Sequence, residues 1–205
     1  MKKLLLSITA LLFATGAFAQ QEMGFGLKAG VNFPKYSFSD GDASTGSTTN
    51  FHITAFLDAP IATDRFYVQP GISLQGKGAK LTYGSIGTVK QNTMWIEVPV
   101  NFVAKFPAAD AGNFFLGAGP YIAFGISGKN KYESGWGEAE TDFDFGKDGD
   151  LKGTDFGLNF IGGFEFNSGL MIHGGYGLGL SNLAPDGSNG DIKQRLWTVG
   201  LGFRI

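Results

Sequence analysis

Apolar and polar side chains alternate with period two along most of the chain, and a 3.6-residue apolar stripe is almost absent. From Gly24 to Phe33 one face carries Phe25, Leu27, Ala29, Val31 and Phe33, and the other Gly24, Gly26, Lys28, Gly30 and Asn32, the pattern of a half-apolar strand. Further strands are predicted over 50–58, 66–76, 92–106, 113–127, 154–167, 169–181 and 193–205. The fourth is the clearest: Met94, Ile96, Val98, Val100, Phe102, Ala104 and Phe106 share a face, with Glu97, Asn101 and Lys105 opposite. In the eighth, Trp197, Val199, Leu201, Phe203 and Ile205 oppose Thr198, Gly200, Gly202 and Arg204.

The connections alternate long and short. Segments 34–49, 77–91, 128–153 and 182–192 are long, polar and rich in Gly, Ser and Asp, whereas 59–65, 107–112 and the Asn167-Ser168-Gly169 turn are short. An even strand count, long extracellular loops and short periplasmic turns characterise bacterial outer-membrane barrels. The expected fold is therefore all-β, an eight-stranded antiparallel up-and-down transmembrane β-barrel with both termini on the periplasmic side. A soluble lipocalin-like binding barrel is the rival, with an apolar interior and a polar outside. Here the face opposite the large apolar residues carries Gly, Asn, Gln, Lys and Glu, which suits a membrane barrel.

Composition adds a reason for the glycines. They number 33 of 205 residues, about 16% against a usual 7% or so, and many fall on the inward face, where eight strands leave room for little more than side-chain packing. Aromatics gather at strand ends as interfacial girdles: Phe25, Phe66, Phe106, Phe114, Phe166 and Phe203 at the periplasmic level, and Phe33, Phe51, Phe156 and Trp197 at the outer one. Residues 1–19 read as a secretory signal, with Lys2 and Lys3, an apolar run from Leu4 to Phe13, and Ala17-Phe18-Ala19 as the cleavage site, leaving 20–205 as the barrel domain. Losing two lysines moves the net charge from -2 to about -4, which gives no reason to expect a nucleic-acid partner. The absence of Cys excludes disulfides, thiol catalysis and thiolate metal sites.

Five stretches in order carry a family likeness: Gly26-Leu27-Lys28-Ala29-Gly30-Val31-Asn32-Phe33; Gln69-Pro70-Gly71-Ile72 with Lys77-Gly78-Ala79-Lys80; Ile96-Glu97-Val98-Pro99-Val100; Gly117-Ala118-Gly119-Pro120-Tyr121; and Tyr176-Gly177-Leu178-Gly179-Leu180-Ser181-Asn182. Together they resemble the PorT-like outer-membrane β-barrel family of Bacteroidota. The resemblance implies a single-domain OmpA-type barrel without established catalytic residues, inserted into outer-membrane lipid by the barrel-assembly machinery. One departure is the terminus, Phe203-Arg204-Ile205, where such strands commonly end in an aromatic.

Inward-facing charges are the main candidates for a site: Lys28, Glu97, Lys105, Asp155, Glu165 and Arg204. Charges in a narrow barrel must pair, so the expectation is a network in which Glu97 and Glu165 are shared among Lys28, Lys105 and Arg204. A structural plug is favoured over a small-solute or ion pore, because eight strands leave no wide lumen. Acyl transfer of the kind found in some eight-stranded envelope enzymes would need a base beside a hydroxyl. Only His52, next to Thr54 at a strand's outer rim, and His173, an interior filler, are available, so no catalytic residue is expected. The acidic loop from Lys129 to Lys152 holds Asp142, Asp144, Asp148 and Asp150, but Gly146 breaks the EF-hand order, so no metal or cofactor is expected. The same loop carries Tyr132, Trp136, Phe143 and Phe145, candidates for contact with an extracellular or envelope partner. The expected role is structural, surface-contact or envelope-assembly.

Overall fold

A computed structural model of the protein describes residues 23–39, 45–61, 63–83, 87–134, 137–146, 149–188 and 190–205. The expected signal segment, 1–19, lies outside them. Among the described residues there are ten strands: β1 (Gly24–Phe38), β2 (Thr45–Gly46), β3 (Asn50–Ile61), β4 (Thr63–Tyr83), β5 (Gly87–Ala108), β6 (Gly112–Ser134), β7 (Gly137–Asp142), β8 (Thr154–Phe166), β9 (Leu170–Gly179) and β10 (Ile192–Arg204). Eight form an antiparallel ring in the order β1, β3, β4, β5, β6, β8, β9, β10, closed where β1 pairs with β10. Closure leaves no strand of the ring with an unpaired edge. Followed from partner to partner, Pro34 leads through Leu196, Gly177, Asn159, Gly119, Asn101, Gln69 and Asp58 back to Gly24 on its own strand, a stagger of ten residues. Strand number and stagger together set tilt and width.

Alternation puts the large apolar side chains outside. Phe25, Leu27, Ile72, Phe102, Leu116, Ile172, Val199 and Leu201 are exposed, while Lys28, Asn32, Glu97, Lys105 and Glu165 are buried. A protein that buries its charges and exposes its leucines is folded for a hydrocarbon solvent. Two segments expected as loops are largely strand. Lys77–Tyr83 continues β4 and pairs with Gly87–Thr93 of β5, and Gly128–Ser134 continues β6 before turning into β7. Above the apolar band the outer face of these extensions turns polar while the inner face packs Ala79 and Leu81 on a buried apolar cluster, so the outward-apolar alternation that marks a strand in the sequence fades although the backbone pairing does not.

The change of surroundings coincides with a bulge in β6. Trp95 pairs with Gly125 but Met94 with Ser127, leaving Ile126 as an extra residue. Below it the outward residues are Phe114, Leu116, Ile122, Phe124 and Ile126; above it Asn130 is buried and Lys129 is exposed. One inserted residue reverses which parity faces out.

Val199, 52% exposed and opposite Val31, lies midway along the apolar band. Val199→Arg is expected to cost about 2–4 kcal/mol in urea unfolding from lipid vesicles. A change near zero would mean that this surface does not face hydrocarbon.

Candidate functional site: the barrel interior

The lumen is filled in layers. Nearest the short turns, Lys105 of β5 places Nζ 2.6 Å from Asp58 Oδ2 and 2.7 Å from Glu165 Oε2. Arg204 donates from Nε to Glu165 Oε1 at 2.5 Å, and Gln69 donates from Nε2 to Asp58 Oδ1 at 2.8 Å. Every carboxylate oxygen here has a donor, the condition under which a buried ion pair is tolerable. Lys105 also sits 4.3 Å from the ring centre of Tyr67.

Toward the long loops lies a second charged layer. Lys77 of β4 places Nζ 3.0 Å from Glu97 Oε2 and 3.4 Å from Asp155 Oδ2. The other bonds to these acids come from Asn159 Nδ2 to Glu97 Oε1 at 3.0 Å, Tyr121 Oη to Asp155 Oδ2 at 2.9 Å, and Ser181 Oγ to Asp155 Oδ1 at 2.5 Å.

Of the expected network, the structure brings Glu165, Lys105 and Arg204 together in one layer and joins Glu97 and Asp155 through Lys77 in the other. Glu97 is paired with Lys77 rather than with Lys28, Lys105 or Arg204. Lys28 has no carboxylate within ion-pair distance among the described residues; it donates to Gln69 Oε1 at 3.3 Å and lies 4.1 Å from the ring centre of Phe56. A Cβ on Gly26 would stand 2.2 Å from Phe56 Cζ, so that ring can lie flat beneath Lys28 only over a glycine. Sequence reasoning missed Asp58 and Lys77. Both continue a period-two series, Thr54-x-Phe56-x-Asp58 and Ser73-x-Gln75-x-Lys77, but each stands where the apolar alternation gives way to a connection. Among the described buried groups, Lys28, Lys77 and Lys105 with the half-buried Arg204 balance Asp58, Glu97, Asp155 and Glu165.

Between the two charged layers lie the histidines. His52 is buried at mid-barrel, level with Gly30 and Gln75, instead of at the outer rim, because β1 and β4 continue well beyond it. Its Nδ1 is 2.7 Å from Asn32 Oδ1, while the Thr54 hydroxyl is bonded to Ser73 Oγ at 2.6 Å. His173 packs edge-on against it, ring centres 5.4 Å apart. A cavity of about 70 Å³ adjoins both rings.

The outer end is closed by apolar side chains. Tyr36, Trp95, Tyr121, Phe143, Leu151 and Leu183 form a buried cluster, with Phe145 packed against it. Phe143 and Phe145, expected to serve surface contact, are therefore turned inward: Phe143 is 4% exposed, and Phe145 lies 5.0 Å from Trp95, ring to ring. Two glycines of β6 make their seats. A Cβ at Gly125 would fall 2.6 Å from the Phe145 ring, and one at Gly128 would fall 2.8 Å from Phe143 Cβ. The acidic loop behind them spends the Asp150 carboxylate on Asp144 N–H at 3.0 Å and Asn130 Nδ2 at 3.4 Å. Lys152 N donates to Leu183 O at 2.9 Å, tying this loop to the last one. Tyr132 is exposed on the β6 extension, and Trp136 lies outside the described residues.

Nine of the ten expected girdle aromatics, Phe25, Phe33, Phe51, Phe66, Phe106, Phe114, Phe156, Trp197 and Phe203, are 39–62% exposed on the outer surface. Phe166 is half-buried, edge-on to the ring of Phe164.

Residues 18–184 match the sequence profile of the outer membrane protein beta-barrel domain. The chain belongs to that family. Its location is the cell outer membrane, and the apolar surface of this outer-membrane barrel meets lipid. The barrel is similar to Ail, the attachment invasion locus protein of Yersinia pestis, at 14% identity over 90% of this chain and 100% of that one, with a TM-score of 0.48. It is also similar to OprG from Pseudomonas aeruginosa, at 13% identity over 89% and 95% of the two chains, TM-score 0.48. Neisserial surface protein A is similar at 14% identity over 90% and 99%, TM-score 0.45. No curated protein matches the sequence.

Lys105→Met leaves Asp58 and Glu165 short of a cation, and is expected to lower unfolding stability in lipid vesicles by about 3–5 kcal/mol. Adding Asp58→Leu to it should recover much of the loss, since the stranded charge goes too. A single-variant loss under about 1 kcal/mol would show that the cluster is not dry enough for pairing to matter.

Proposed function

We propose that the protein is a closed outer-membrane anchor that carries an extracellular β-sheet for contact with a surface or envelope partner, without catalysis. One observation supports this most: β5 and β6 run for 22 and 23 residues, about twice the 9–11 that cross a membrane. With the outer part of β4 and with β7 they build a sheet beyond the apolar band, above a lumen stopped by two ion-paired layers and an aromatic cap.

The outer face of that sheet is laced with charge. Lys129 pairs with Glu140, Lys131 with Glu138 at 2.9 Å, and Lys90 with Glu133 at 2.8 Å. The hydrogen bond from Lys129 lowers the Glu140 carboxyl below its ordinary range, and the one from Lys90 does the same for Glu133. These pairs are exposed and screened by salt. Their effect is to keep an edge strand charged, which discourages indiscriminate pairing with other chains.

In this reading residues 1–19 are the cleaved signal and 20–205 the mature barrel, inserted by the barrel-assembly machinery. The exposed aromatics then mark the two lipid interfaces, and the five stretches that resemble the PorT-like branch support a relation to it.

Two experiments test the proposal. In planar bilayers the wild type and Glu97→Gln should both be silent, the variant losing heat resistance alone; a large rise in conductance would replace the plug with a gated pore. Because the sequence has no Cys, single cysteines report topology cleanly. Glu138→Cys should react with an impermeant maleimide on intact cells, and Ser168→Cys only after the outer membrane is broken. The reverse pattern would put the sheet on the periplasmic side and end the surface-contact reading.

A further inference from the structure

The 70 Å³ cavity at mid-barrel separates the two charged layers, and its walls carry hydrogen-bonding groups left without partners. His173 Nε2 and Asn101 Oδ1 both line it, both are buried, at 8% and 7% exposure, and neither has a partner. Nine-tenths-buried polar atoms without partners are rare enough to need an explanation.

Which atoms give and which accept follows from their neighbours. Asn32 Nδ2, with two hydrogens, is surrounded by the acceptors Phe51 O, Gln75 Oε1 and Gly76 O, so Asn32 Oδ1 accepts and His52 Nδ1 must carry the proton. Nε2 of His52 is then a lone pair. The His173 ring donates to the Leu201 backbone carbonyl through its other nitrogen, which leaves Nε2 of that ring as a lone pair too. Asn101 Oδ1 is an acceptor. On the same wall, Lys28 Nζ has three hydrogens and a single hydrogen bond, to Gln69.

A halide would satisfy Lys28 but would face acceptor lone pairs. A metal cation would suit those lone pairs but would stand beside Lys28, and the carboxylate that lines the cavity, Glu97, already accepts from Lys77 and Asn159. Only a ligand that both accepts and donates fits. We propose that the cavity is a binding site for two water molecules, which accept from Lys28 and donate to His173 Nε2 and Asn101 Oδ1. The volume agrees, since a water occupies about 30 Å³ of liquid and a polar cavity of this kind is normally filled.

The two waters close the gap in a line of polar contacts. Arg204, Glu165, Lys105, Asp58, Gln69 and Lys28 lead up to the cavity, and Glu97, Lys77, Asp155 and Ser181 lead away from it. Hydration thereby couples a lower layer with one cation in excess, counting Lys28, to an upper layer with one anion in excess. Gln69 interrupts the line for protons, because its amide accepts from Lys28 and donates to Asp58 without a transferable proton of its own.

Water-selective NMR on the full barrel in lipid nanodiscs, with protonated histidine and threonine in a deuterated background, reads the site directly, because His173 and Thr198 both line the cavity. Slowly exchanging water should give cross-peaks to the carbon-bound Hε1 of His173 in the wild type, and Asn101→Leu with His173→Phe should fill the cavity and abolish those from water to the Thr198 side chain. No cross-peak at His173 in the wild type would show a dry cavity and overturn the proposal, whether or not the double variant folds. Saturable shifts of that signal with sodium bromide or zinc chloride would overturn it in favour of an ion site.

Discussion

Charge carried into an eight-stranded ring has to be neutralised across the width of that ring. The lumen admits one layer of side chains from each wall, so a lysine from β5 meets an aspartate from β3 and a glutamate from β8 without any backbone movement. The pairing is long-range in the chain, with Lys77 and Asp155 separated by 78 positions, and it is available only once the ring has closed. The ion pairs therefore report correct register: slipping one strand by a single residue would turn its charge into the hydrocarbon and strand two partners inside. Such pairs add little net stability over apolar packing, but a wrong register loses them entirely.

Neutrality inside frees the outside to be purely apolar, and it also explains why the lumen needs a lid of a different kind. Ion pairs are tolerable in a narrow dry space and weaken where water enters. Trp95, Tyr121 and Tyr36, covered by Phe143 and Leu183, keep bulk water from the Lys77 layer, and Lys77 itself lies 4.6 Å from the Tyr121 ring centre. The lid is thus part of the electrostatics below it, which is why two phenylalanines from a polar loop are buried there.

Much of this was legible in the sequence. The eight strands, their facing and the burial of five charges follow from period-two alternation, because a barrel wall separates two unlike solvents and writes that difference into every second residue. What could not be read is what depends on closure. Lys77 and Asp58 continue the inward series past the points where the apolar partners stop, so local pattern alone ended their strands too early. Phe143 and Phe145 sit in a loop with every mark of solvent exposure, and their inward turn depends on two glycines fifteen or more positions earlier, at 125 and 128. His52 reads as a rim residue because the alternation of its own strand begins only two positions before it, although the two strands flanking it run on past it.

The bulge at Ile126 shows how a single strand serves both solvents. Had β6 kept its parity beyond Ile126, Asn130 would face outward and give up its bond to Asp150, and Lys129 and Lys131 would point toward the aromatic lid, away from Glu140 and Glu138. The extra residue reverses the sides at the level where the apolar band ends, so the lysines reach the outer face of the extracellular sheet and meet Glu138 and Glu140 of β7. A defect in pairing, worth one lost rung of backbone hydrogen bonds, thereby separates a membrane-facing wall from a water-facing sheet built on the same continuous strand.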